Sequence, residues 1–344
     1  MRTQDAQVLV LRALADGPLH GYAINAVIEK LTGNRLGAGS LYGALTRLET
    51  KQLVEHVAGS GRQRPVRLTA TGREMLDREL RSMARMSGSI FETAVPGPVG
   101  YLDRVAATDA ARAYKKVMAD ALAARPGQTV LDVGCGPGTD LRAVAEAVSP
   151  TGTVIGLDAD PEMIETARER TADLPRVKVR QGDVHALDLD DDTVDGARTD
   201  RVLQNVTDPV KALAELLRVL RPGGRLVTGE PDWDSLAIDY PDLEVSRSYT
   251  RHLTDRIVRN GVIGRQLARL ATATGFVVSQ VVPVTTVFRD VESADQILGL
   301  QRNTERAVAA GYLTTRDAQR WLAHLADEPF LAAVTLYVVV AEAT

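Results

Sequence analysis

Three alternating glycines are the residues of this 344-residue sequence best suited to holding a ligand. Gly134, Gly136 and Gly138 lie in TVLDVGCGPGTDLRAVAE, where an apolar strand pattern is followed by a loop and a helix pattern. Because glycine has no Cβ, it lets a ligand approach the backbone closely. The G-x-G-x-x-G fingerprint of dinucleotide-binding proteins is incomplete, since Thr139 stands where its third glycine would be. The loop therefore departs from the fingerprint of nicotinamide-dependent enzymes.

Two aspartates end the strand patterns that follow this loop. Asp158 ends the strand of VIGLDADPEMIETA, and a carboxylate at that place can accept hydrogen bonds from both hydroxyls of a ribose. Asp183 follows the next strand within Gly182-Asp183-Val184 and can accept a hydrogen bond from an adenine amine. The carboxyl ends of parallel strands meet at one edge of a sheet, so these groups are expected to converge on one crevice.

The elements that must position these residues alternate along the chain from about residue 101 onward. VDGARTDRVLQNV and LRPGGRLVTGEPDW predict a fourth and a fifth strand, and VVSQVVPVTTVFRD and FLAAVTLYVVVAEAT predict two more. Helix patterns separate most of these strands, which is typical of a parallel α/β sheet. The predicted fold class of this part of the chain is therefore α/β.

These elements, in this order, resemble a class I S-adenosylmethionine-dependent methyltransferase. The resemblance is close from Tyr101 to Trp233 and looser beyond, and it implies a Rossmann-like domain of seven strands, the last of them antiparallel. It also implies S-adenosylmethionine as the cofactor. The residues that this resemblance assigns to cofactor binding are Tyr101, Asp132, Gly134, Cys135, Gly136, Gly138, Asp158, Ala159, Met163, Gly182, Asp183, Val184 and Thr199.

The resemblance also implies a role for several of these residues. Asp132 and the glycine loop would hold the methionine end of the cofactor, Met163 would pack on the adenine, and Thr199 would lie near the sulfonium. Tyr101 is expected to close over the cofactor, and Cys135 to serve as a small spacer in the loop rather than a nucleophile. A methyl group on positive sulfur is already activated, so the protein must mainly align the acceptor and exclude water.

The sequence after the fifth strand predicts the acceptor side of the site. A helical insert at about residues 234–260 is expected to form a lid over the substrate. His252 on this insert is a candidate catalytic base, or alternatively a packing residue. Trp233 and Asn205 are candidates for lining the acceptor pocket, and the helical stretch before the last strand for a pocket wall or dimer surface. No metal site is predicted, and neither the acceptor nor the choice among O-, N- and C-methylation follows from the sequence.

Residues 1–90 predict a second, mainly helical module. Three apolar helix patterns precede LVEHVAGSGRQRPVRLTATG, which predicts two short strands joined by a turn, and a further helix follows. Ser40 is expected to cap the third helix and Thr71 the fourth. The module has 13 basic and 8 acidic side chains, whereas the whole chain has a net charge of −4. A basic module can approach phosphates, and the acidic remainder would be repelled by them.

Four short motifs of this module, ADGPLHGY, GSLY, RLE and RLT, resemble those of PadR-type transcriptional regulators, which have a winged helix-turn-helix. The resemblance implies that the third helix enters the DNA major groove, with Ser40 and Tyr42 near its start and Arg47 in the same helix. Arg62 and Arg64 on the wing would meet phosphates. The sequence departs from the family at position 43, where glycine replaces the usual proline, and in the wing.

Two functions stay open from the sequence. The first is a methyltransferase that acts on a small molecule of bacterial secondary metabolism, with the winged helix serving dimerisation or pocket building. The second is a DNA-binding regulator whose methyltransferase domain senses the cofactor or a metabolite, or an enzyme that represses its own operon. A homodimer is expected in either case. The acidic charge of the second module disfavours nucleic acid as the methyl acceptor.

The amino-acid composition predicts the compartment, and a stretch rich in proline and glycine predicts the domain boundaries. The single cysteine, Cys135, excludes an internal disulfide and fits a reducing cytoplasm. No apolar run approaches the roughly 20 residues that a membrane-spanning helix needs. Two prolines and three glycines within residues 87–100 indicate a linker. We predict a winged-helix domain at 1–90, a linker at 91–100 and a methyltransferase domain at 101–344.

Overall fold

A computed structural model describes residues 3–15, 17–32, 34–57, 65–76, 97–327 and 329–344. The chain divides into two compact units, Met1–Ile90 and Phe91–Thr344. The predicted linker overlaps the start of the second unit, because a helix begins at Pro98. Proline has no backbone N–H to lose and has a helical φ, so it favours the first position of a helix.

The amino-terminal unit consists of helices and one small hairpin, as predicted. Helices α1 and α2 pack with α3 around a core that includes Leu11, Ile24, Ile28 and Leu48. The hairpin pairs its two strands antiparallel, with Glu55 opposite Arg67. The elements are α1 Thr3–Ala13, α2 Gly21–Thr32, α3 Ala38–Thr50, β1 Val54–His56, β2 Val66–Leu68 and α4, whose described part is 70–76.

Two predicted helix caps lie at other residues. Helix α3 begins at Ala38 because the Gly37 carbonyl accepts a hydrogen bond from the Leu41 N–H, so Ser40 lies inside the first turn instead of capping it. The cap of α4 is Thr69, whose Oγ1 accepts from the Gly72 N–H at 3.0 Å, and not Thr71. In both places the sequence offers several small or hydroxyl residues in succession, and propensity alone does not select among them.

The second unit is built on a seven-stranded sheet in the order β5-β4-β3-β6-β7-β9-β8. The first five of these strands are parallel, and β9 pairs antiparallel with both β7 and β8. This confirms the predicted Rossmann-like α/β sheet with its antiparallel last strand. The strands are β3 Thr129–Val133, β4 Thr153–Asp158, β5 Val177–Gln181, β6 Val194–Asp200, β7 Leu220–Ile238, β8 Val277–Phe288 and β9 Ala332–Glu342.

Helices cover the sheet, and their apolar faces form its core. Buried residues such as Leu131 and Leu226 on the strands pack with Leu213 and Leu267 on two of the helices. The helices are α5 Pro98–Ala106, α6 Asp109–Leu122, α7 Leu141–Val148, α8 Pro161–Arg170, α9 Pro209–Val219, α10 Leu243–His252, α11 Ile263–Thr274, α12 Val291–Leu298, α13 Leu300–Ala309 and α14 Thr315–Leu325, with a π-helical turn at Leu253–Ile257.

The helical insert begins later than the predicted 234. Strand β7 continues to Ile238 because Ala237 and Ile238 resume pairing with β9 after a register shift. The insert therefore consists of α10 and the π-helical turn. This extension of β7 fixes the start of α10, which packs on the strand.

Candidate functional site

A cavity of about 840 Å³ opens at the carboxyl ends of the parallel strands. One side is formed by the loops after β3, β4 and β5, and the other by the loop after β6, the π-helical turn and α12–α13. The structure thus brings the predicted glycine loop and both strand-end aspartates to one crevice. Eleven predicted cofactor or acceptor residues line it: Tyr101, Gly134, Gly136, Asp158, Ala159, Met163, Gly182, Asp183, Val184, Asn205 and Trp233.

The glycine loop has a backbone that other residues adopt with difficulty. Gly134, Gly136 and Gly138 have φ values of +69°, +53° and +79°. A Cβ on Gly134 would lie 2.2 Å from Val202 Cγ2, which is far inside van der Waals contact. Gly138 does not line the cavity, because its position faces Ala167 of α8, 3.1 Å from where a Cβ would be. Gly138 thus packs against α8, while Gly134 and Gly136 line the cavity.

Asp158 connects the loop after β4 with the glycine loop. Its Oδ2 accepts from the Gly136 N–H at 2.9 Å, and its Oδ1 accepts from the Asp160 N–H at 3.0 Å. Each carboxylate oxygen has a second lone pair, and the residue lines the cavity. Asp158 therefore can shape the loop and still accept hydrogen bonds from two ligand hydroxyls.

Asp183 is oriented by a histidine that the sequence analysis did not select. Its Oδ1 accepts from the His185 N–H at 2.9 Å and lies 2.6 Å from His185 Nδ1. The hydrogen bonds from His185 lower the pKa of the Asp183 carboxyl. His185 also lines the cavity. Met163 also lines the cavity, and most of its side chain is buried.

Asp132 lies beneath the glycine loop and not in the main cavity. It faces Arg198 at 3.4 Å, and Arg198 also contacts Asp140 at 2.8 Å. Burial raises the pKa of Asp132 to about 6. Asp132 and Cys135 line a separate pocket of about 40 Å³, and burial raises the pKa of the Cys135 thiol as well. The contact of Asp132 with the cofactor stays a prediction, and the smaller pocket is the space that Asp132 lines.

Thr199 does not line the cavity, and the residues after it do. Its side chain is fully buried in the sheet, whereas Asp200 and Arg201 line both the main cavity and the smaller pocket. Successive side chains of a strand point to opposite faces, so Thr199 and Asp200 lie on opposite faces of β6. The position of Thr199 near the sulfonium stays a prediction. Arg201 has a left-handed φ of +56°, which costs a non-glycine residue about 1–3 kcal/mol and often marks a functional position.

The predicted acceptor residues have different surroundings. Trp233 Nε1 donates to Gln204 Oε1 at 2.8 Å, and Asn205 Nδ2 donates to the Arg201 carbonyl at 3.2 Å. His252 is buried at 2% exposure and lies outside the cavity lining, with its ring 5.2 Å from that of Tyr312. Burial and the nearby Arg306 and Arg256 lower the pKa of His252. This packing agrees with the alternative that His252 is a packing residue, and its role as a catalytic base stays a prediction.

The loop after β6 is held by a buried carboxyl group that the sequence analysis missed. Glu230 on β7 accepts from the backbone N–H groups of Val202, Leu203 and Gln204 at 2.8, 2.6 and 3.2 Å. Burial raises the pKa of Glu230 to about 8. Its position in an apolar strand gives no sequence signal, because the donors lie 26–28 residues away.

Glu230→Gln is expected to flatten the pH dependence of stability. The pKa of Glu230 in the folded chain is about 8, above the ordinary value of 4.5, so folding takes up a proton. Its favourable contribution is complete below about pH 4.5 and is lost as pH rises toward 8. Between pH 5 and 8, the unfolding free energy of the wild type should fall at least about 1 kcal/mol more than that of the variant. Urea unfolding at several pH values measures this; parallel curves would contradict it.

Helix α3 of the amino-terminal unit presents a polar surface. Ser40, Tyr42 and Arg47 are exposed, with Tyr42 at 61%. The Arg47 guanidinium folds back over Gly43, where a Cβ would lie 3.3 Å from its Nη2, and it makes no ion pair within the described part of the chain. The other two predicted DNA contacts, Arg62 and Arg64, lie outside the described residues.

The described residues lack two further kinds of feature. None of their helices is long and apolar enough to cross a membrane. Across the same residues, no group of three or more His, Cys, Asp or Glu side chains is placed to hold a metal ion.

Comparisons with known proteins match both parts of the chain. Residues 124–274 match a model described as a methyltransferase domain, and residues 10–78 match the PadR-like family of transcriptional regulators. An uncharacterized 37.1 kDa protein in transposon TN4556 of Streptomyces fradiae is 70% identical over 344 residues, which is 100% of both chains. These matches confirm the predicted fusion of the two modules.

Other similar proteins match part of the chain. The demethylmenaquinone methyltransferase of Staphylococcus aureus (strain JH9) is 40% identical over 124 residues, 36% of this chain and 51% of that protein. The chain thus spans about half the length of that relative. The crystal structure of a SAM-dependent methyltransferase from Aquifex aeolicus is 18% identical and covers 73% of this chain and 100% of that one, with a TM-score of 0.45.

Proposed function

We propose that the protein binds S-adenosylmethionine and transfers its methyl group to a small organic molecule. The premise is that the chain belongs to the methyltransferases and carries a PadR-like amino-terminal region. The observation that carries the proposal is the single cavity that joins the glycine loop, Asp158 and Asp183 to an apolar wall beyond β6 and β7. A pocket of this size is large enough for a ligand at each end. The place of the acceptor in secondary metabolism stays a prediction.

The residues at the nucleoside end fit an adenosine. Asp158 keeps a free lone pair on each oxygen for the ribose hydroxyls, since each oxygen accepts one backbone N–H. Asp183 keeps Oδ2 for an adenine amine, because both of its contacts with His185 use Oδ1. We call the space for the ligand beside the glycine loop the cradle. Its shape depends on the absence of a side chain at Gly134, where a Cβ would collide with Val202.

The methionine end of the cofactor is a zwitterion and needs a cation for its carboxylate. Arg201 lies where the main cavity meets the smaller pocket, and its buried Nε has no hydrogen-bond partner, with Asp200 Oδ1 3.5 Å away. A buried donor without a partner costs free energy, and a bound carboxylate would satisfy it. We assign Arg201 to this carboxylate, a role the sequence analysis did not give it.

When bound, S-adenosylmethionine supplies a methyl group on positively charged sulfur, so the protein needs no nucleophile of its own. Tyr101 fixes helix α5 over the cavity by donating from its hydroxyl to the Ile297 carbonyl at 3.2 Å. Trp233 is held against the loop after β6 by its bond to Gln204. These two rings narrow the cavity, exclude water and orient the acceptor, which is how a site of this kind accelerates transfer.

Calorimetry of the full chain with S-adenosylhomocysteine tests cofactor binding, and turnover of labelled methyl groups in an extract of producing cells tests the reaction. We expect heat of binding with one site per chain and labelled product that requires the protein. A chain that is folded by circular dichroism and takes up no S-adenosylhomocysteine would overturn the proposal.

A second function, DNA binding by the amino-terminal unit, is favoured by the exposed surface of α3. A helix whose outward side carries a serine, a tyrosine and an unpaired arginine is suited to contacting bases and phosphates in a major groove. We propose that Ser40, Tyr42 and Arg47 contact DNA and that two copies bind paired half-sites in the cytoplasm. Under the alternative, in which the unit serves dimerisation or pocket building, these side chains would not affect DNA.

Arg47→Ala is expected to weaken binding to the protein's own upstream DNA about 10-fold at low salt and to reduce the slope of log affinity against log salt by about one. The reason is the loss of one cation that displaces a counterion from the DNA. Electrophoretic shifts in a salt series measure both quantities. Arg73→Ala on α4 is the matched control, because Arg73 is exposed and makes one weak contact to the Ala15 carbonyl. No shift at low salt, or equal effects of the two variants, would exclude this function.

A further inference from the structure

His185 bridges two loops beside the cavity. It lies two residues after Asp183 in the loop that follows β5, it lines the cavity, and its side chain is 15% exposed. Its backbone N–H and its Nδ1 both contact Asp183 Oδ1, at 2.9 and 2.6 Å. Its other ring nitrogen, Nε2, lies 3.2 Å from the Asp208 nitrogen and 3.3 Å from Thr207 Oγ1. One imidazole ring therefore connects Asp183 to the residues that precede α9.

These contacts identify which nitrogen of the ring carries the proton. A backbone N–H can only donate, so the Asp208 N–H donates to His185 Nε2, and Nε2 carries no proton. A neutral imidazole has its proton on the other nitrogen, so the Nδ1–H donates to the Asp183 carboxylate. The neutral ring thus satisfies both neighbours, with Nδ1 as the donor and Nε2 as the acceptor.

Helix α9 gives the ring a fixed support. Asp208 caps this helix, because its Oδ1 accepts from the Val210 and Lys211 N–H groups, each at 3.0 Å. Leu213, on the same helix, is fully buried in the core beside the sheet. The Asp208 N–H that holds His185 Nε2 therefore belongs to a part of the chain that is itself held in place.

The Asp183 carboxylate depends on this histidine for its orientation. The Asp183 side chain is 66% exposed, and among the described residues only His185 makes hydrogen bonds to its carboxylate. An exposed side chain without such bonds rotates among several conformations. Fixing it when a ligand binds costs free energy, which a side chain that is already fixed avoids. The two donors of His185 share Oδ1, so they hold the carboxylate in one orientation and leave Oδ2 available.

Other groups tie the same loop to α9. The Leu187 N–H donates to Glu215 Oε2 at 2.9 Å, and Arg218 donates to the Leu187 and Leu189 carbonyls at 2.9 and 2.8 Å. These bonds do not involve the imidazole. A substitution of His185 should therefore leave the loop in place and change the orientation of the carboxylate alone.

We propose, resting on the proposed function, that His185 is a positioning residue for adenine: it orients the Asp183 carboxylate toward the exocyclic amine of the base. It thereby sets the preference of the site for adenine over purines that lack this amine. A carboxylate accepts best near its own plane, so the amine is recognised well only when that plane faces it. A purine without the amine makes no use of this orientation, so its affinity should not depend on the imidazole.

The test uses the full chain and two nucleosides, adenosine and purine riboside, which differ only in the exocyclic amine. Their dissociation constants are measured by calorimetric competition with S-adenosylhomocysteine, and the ratio of the two constants is the amine preference. We expect the wild type to prefer adenosine at least about 10-fold, because the amine donates to a charged acceptor.

Two substitutions separate the nitrogens of the ring. The side-chain amide nitrogen of His185→Asn can take the place of Nδ1 and donate to Asp183, so this variant should keep most of the amine preference. The longer side chain of His185→Gln can reach the place of Nε2 but leaves no donor at the place of Nδ1. It should weaken adenosine about 10-fold and purine riboside less than about 2-fold. His324→Gln, the same change at an exposed residue of α14 outside the cavity, should change neither constant.

Three results would contradict the inference. The first is a His185→Gln chain that keeps the full amine preference, or that weakens both nucleosides equally, which would leave His185 a structural role only. The second is a His185→Asn chain that loses the preference as fully as His185→Gln. The third is a wild type that binds both nucleosides equally. A wild type that does not bind S-adenosylhomocysteine is a separate result, which would remove the proposed function and this inference with it.

Discussion

Gly134→Ala is expected to reduce affinity for S-adenosylhomocysteine at least about 100-fold, or roughly 2.7 kcal/mol. The substitution acts in two ways. The φ of +69° is unfavourable for alanine, and the new Cβ would lie 2.2 Å from Val202 Cγ2. Val202 is β-branched and its backbone N–H is fixed by Glu230, so it has little freedom to withdraw. The loop must shift instead, and the cradle for the sugar and the methionine moves with it.

The control separates backbone strain from collision. Gly223 has a similar φ of +76°, but a Cβ there would meet no atom within 4 Å, and Gly223 lies outside the cavity. Gly223→Ala should therefore cost stability alone and leave ligand affinity unchanged. Val202→Ala, added to Gly134→Ala, removes the colliding methyl group and should restore part of the affinity. Isothermal titration of all four proteins decides the matter, and a Gly134→Ala chain that binds like wild type would refute the role of the cradle.

The glycine loop also shows how far sequence reasoning reaches. The spacing of Gly134 and Gly136 predicts a close backbone approach, because glycine allows it at any place in any fold. The atom with which a side chain at position 134 would collide could not be predicted locally. It belongs to Val202, which lies 68 residues further along the chain, after β6. Gly138, with the same residue type and the same spacing, packs against α8 instead. Residue type thus predicted the loop, and tertiary packing divided its glycines between the cavity and helix α8.

Strand register limited the prediction at β6. The end of a strand can be placed from sequence to within a residue or two, and a shift of one residue reverses the face. Thr199 was predicted to lie near the sulfonium and is buried in the sheet, whereas Asp200 and Arg201 line the cavity. Arg201 has a left-handed φ, so its side chain does not follow the alternation of faces along the strand. Arginine has no preference for that conformation, so the sequence does not predict it.

The side of the cavity formed by α12 and α13 was less predictable than the side formed by the loops after β4 and β5, for a topological reason. Strand-end loops converge in every parallel α/β sheet, so Asp158 and Asp183 could be placed at one crevice from their order alone. Arg302 and Arg306 reach the cavity from a helix that follows β8, about 100 residues after the loop that they face. Their approach depends on how α12 and α13 pack on α10, which no local pattern encodes. The helical stretch was predicted as a pocket wall, but the arginines on it were not.

Asp158→Asn is expected to lower affinity for S-adenosylhomocysteine about 30-fold, or roughly 2 kcal/mol. Both oxygens of Asp158 accept a backbone N–H, from Gly136 and from Asp160. An asparagine has one acceptor atom, so its amide group would face one of these donors and could not accept from the ribose. Hydrogen bonds to a charged group are worth about 1.5–3 kcal/mol, which sets the size of the effect.

A pair of nucleosides distinguishes sugar binding from loop shaping in this variant. Adenosine has the two ribose hydroxyls, and 2′,3′-dideoxyadenosine lacks them. If Asp158 accepts from the hydroxyls, the wild type prefers adenosine and Asp158→Asn loses that preference. Asp208→Asn is the matched control, because Asp208 Oδ1 also accepts two backbone N–H bonds, from Val210 and Lys211, at a helix cap outside the cavity. Asparagine caps a helix as well as aspartate does, so this control should bind normally. An Asp158→Asn chain that keeps the full preference for adenosine would show that the carboxylate shapes the loop without holding the sugar.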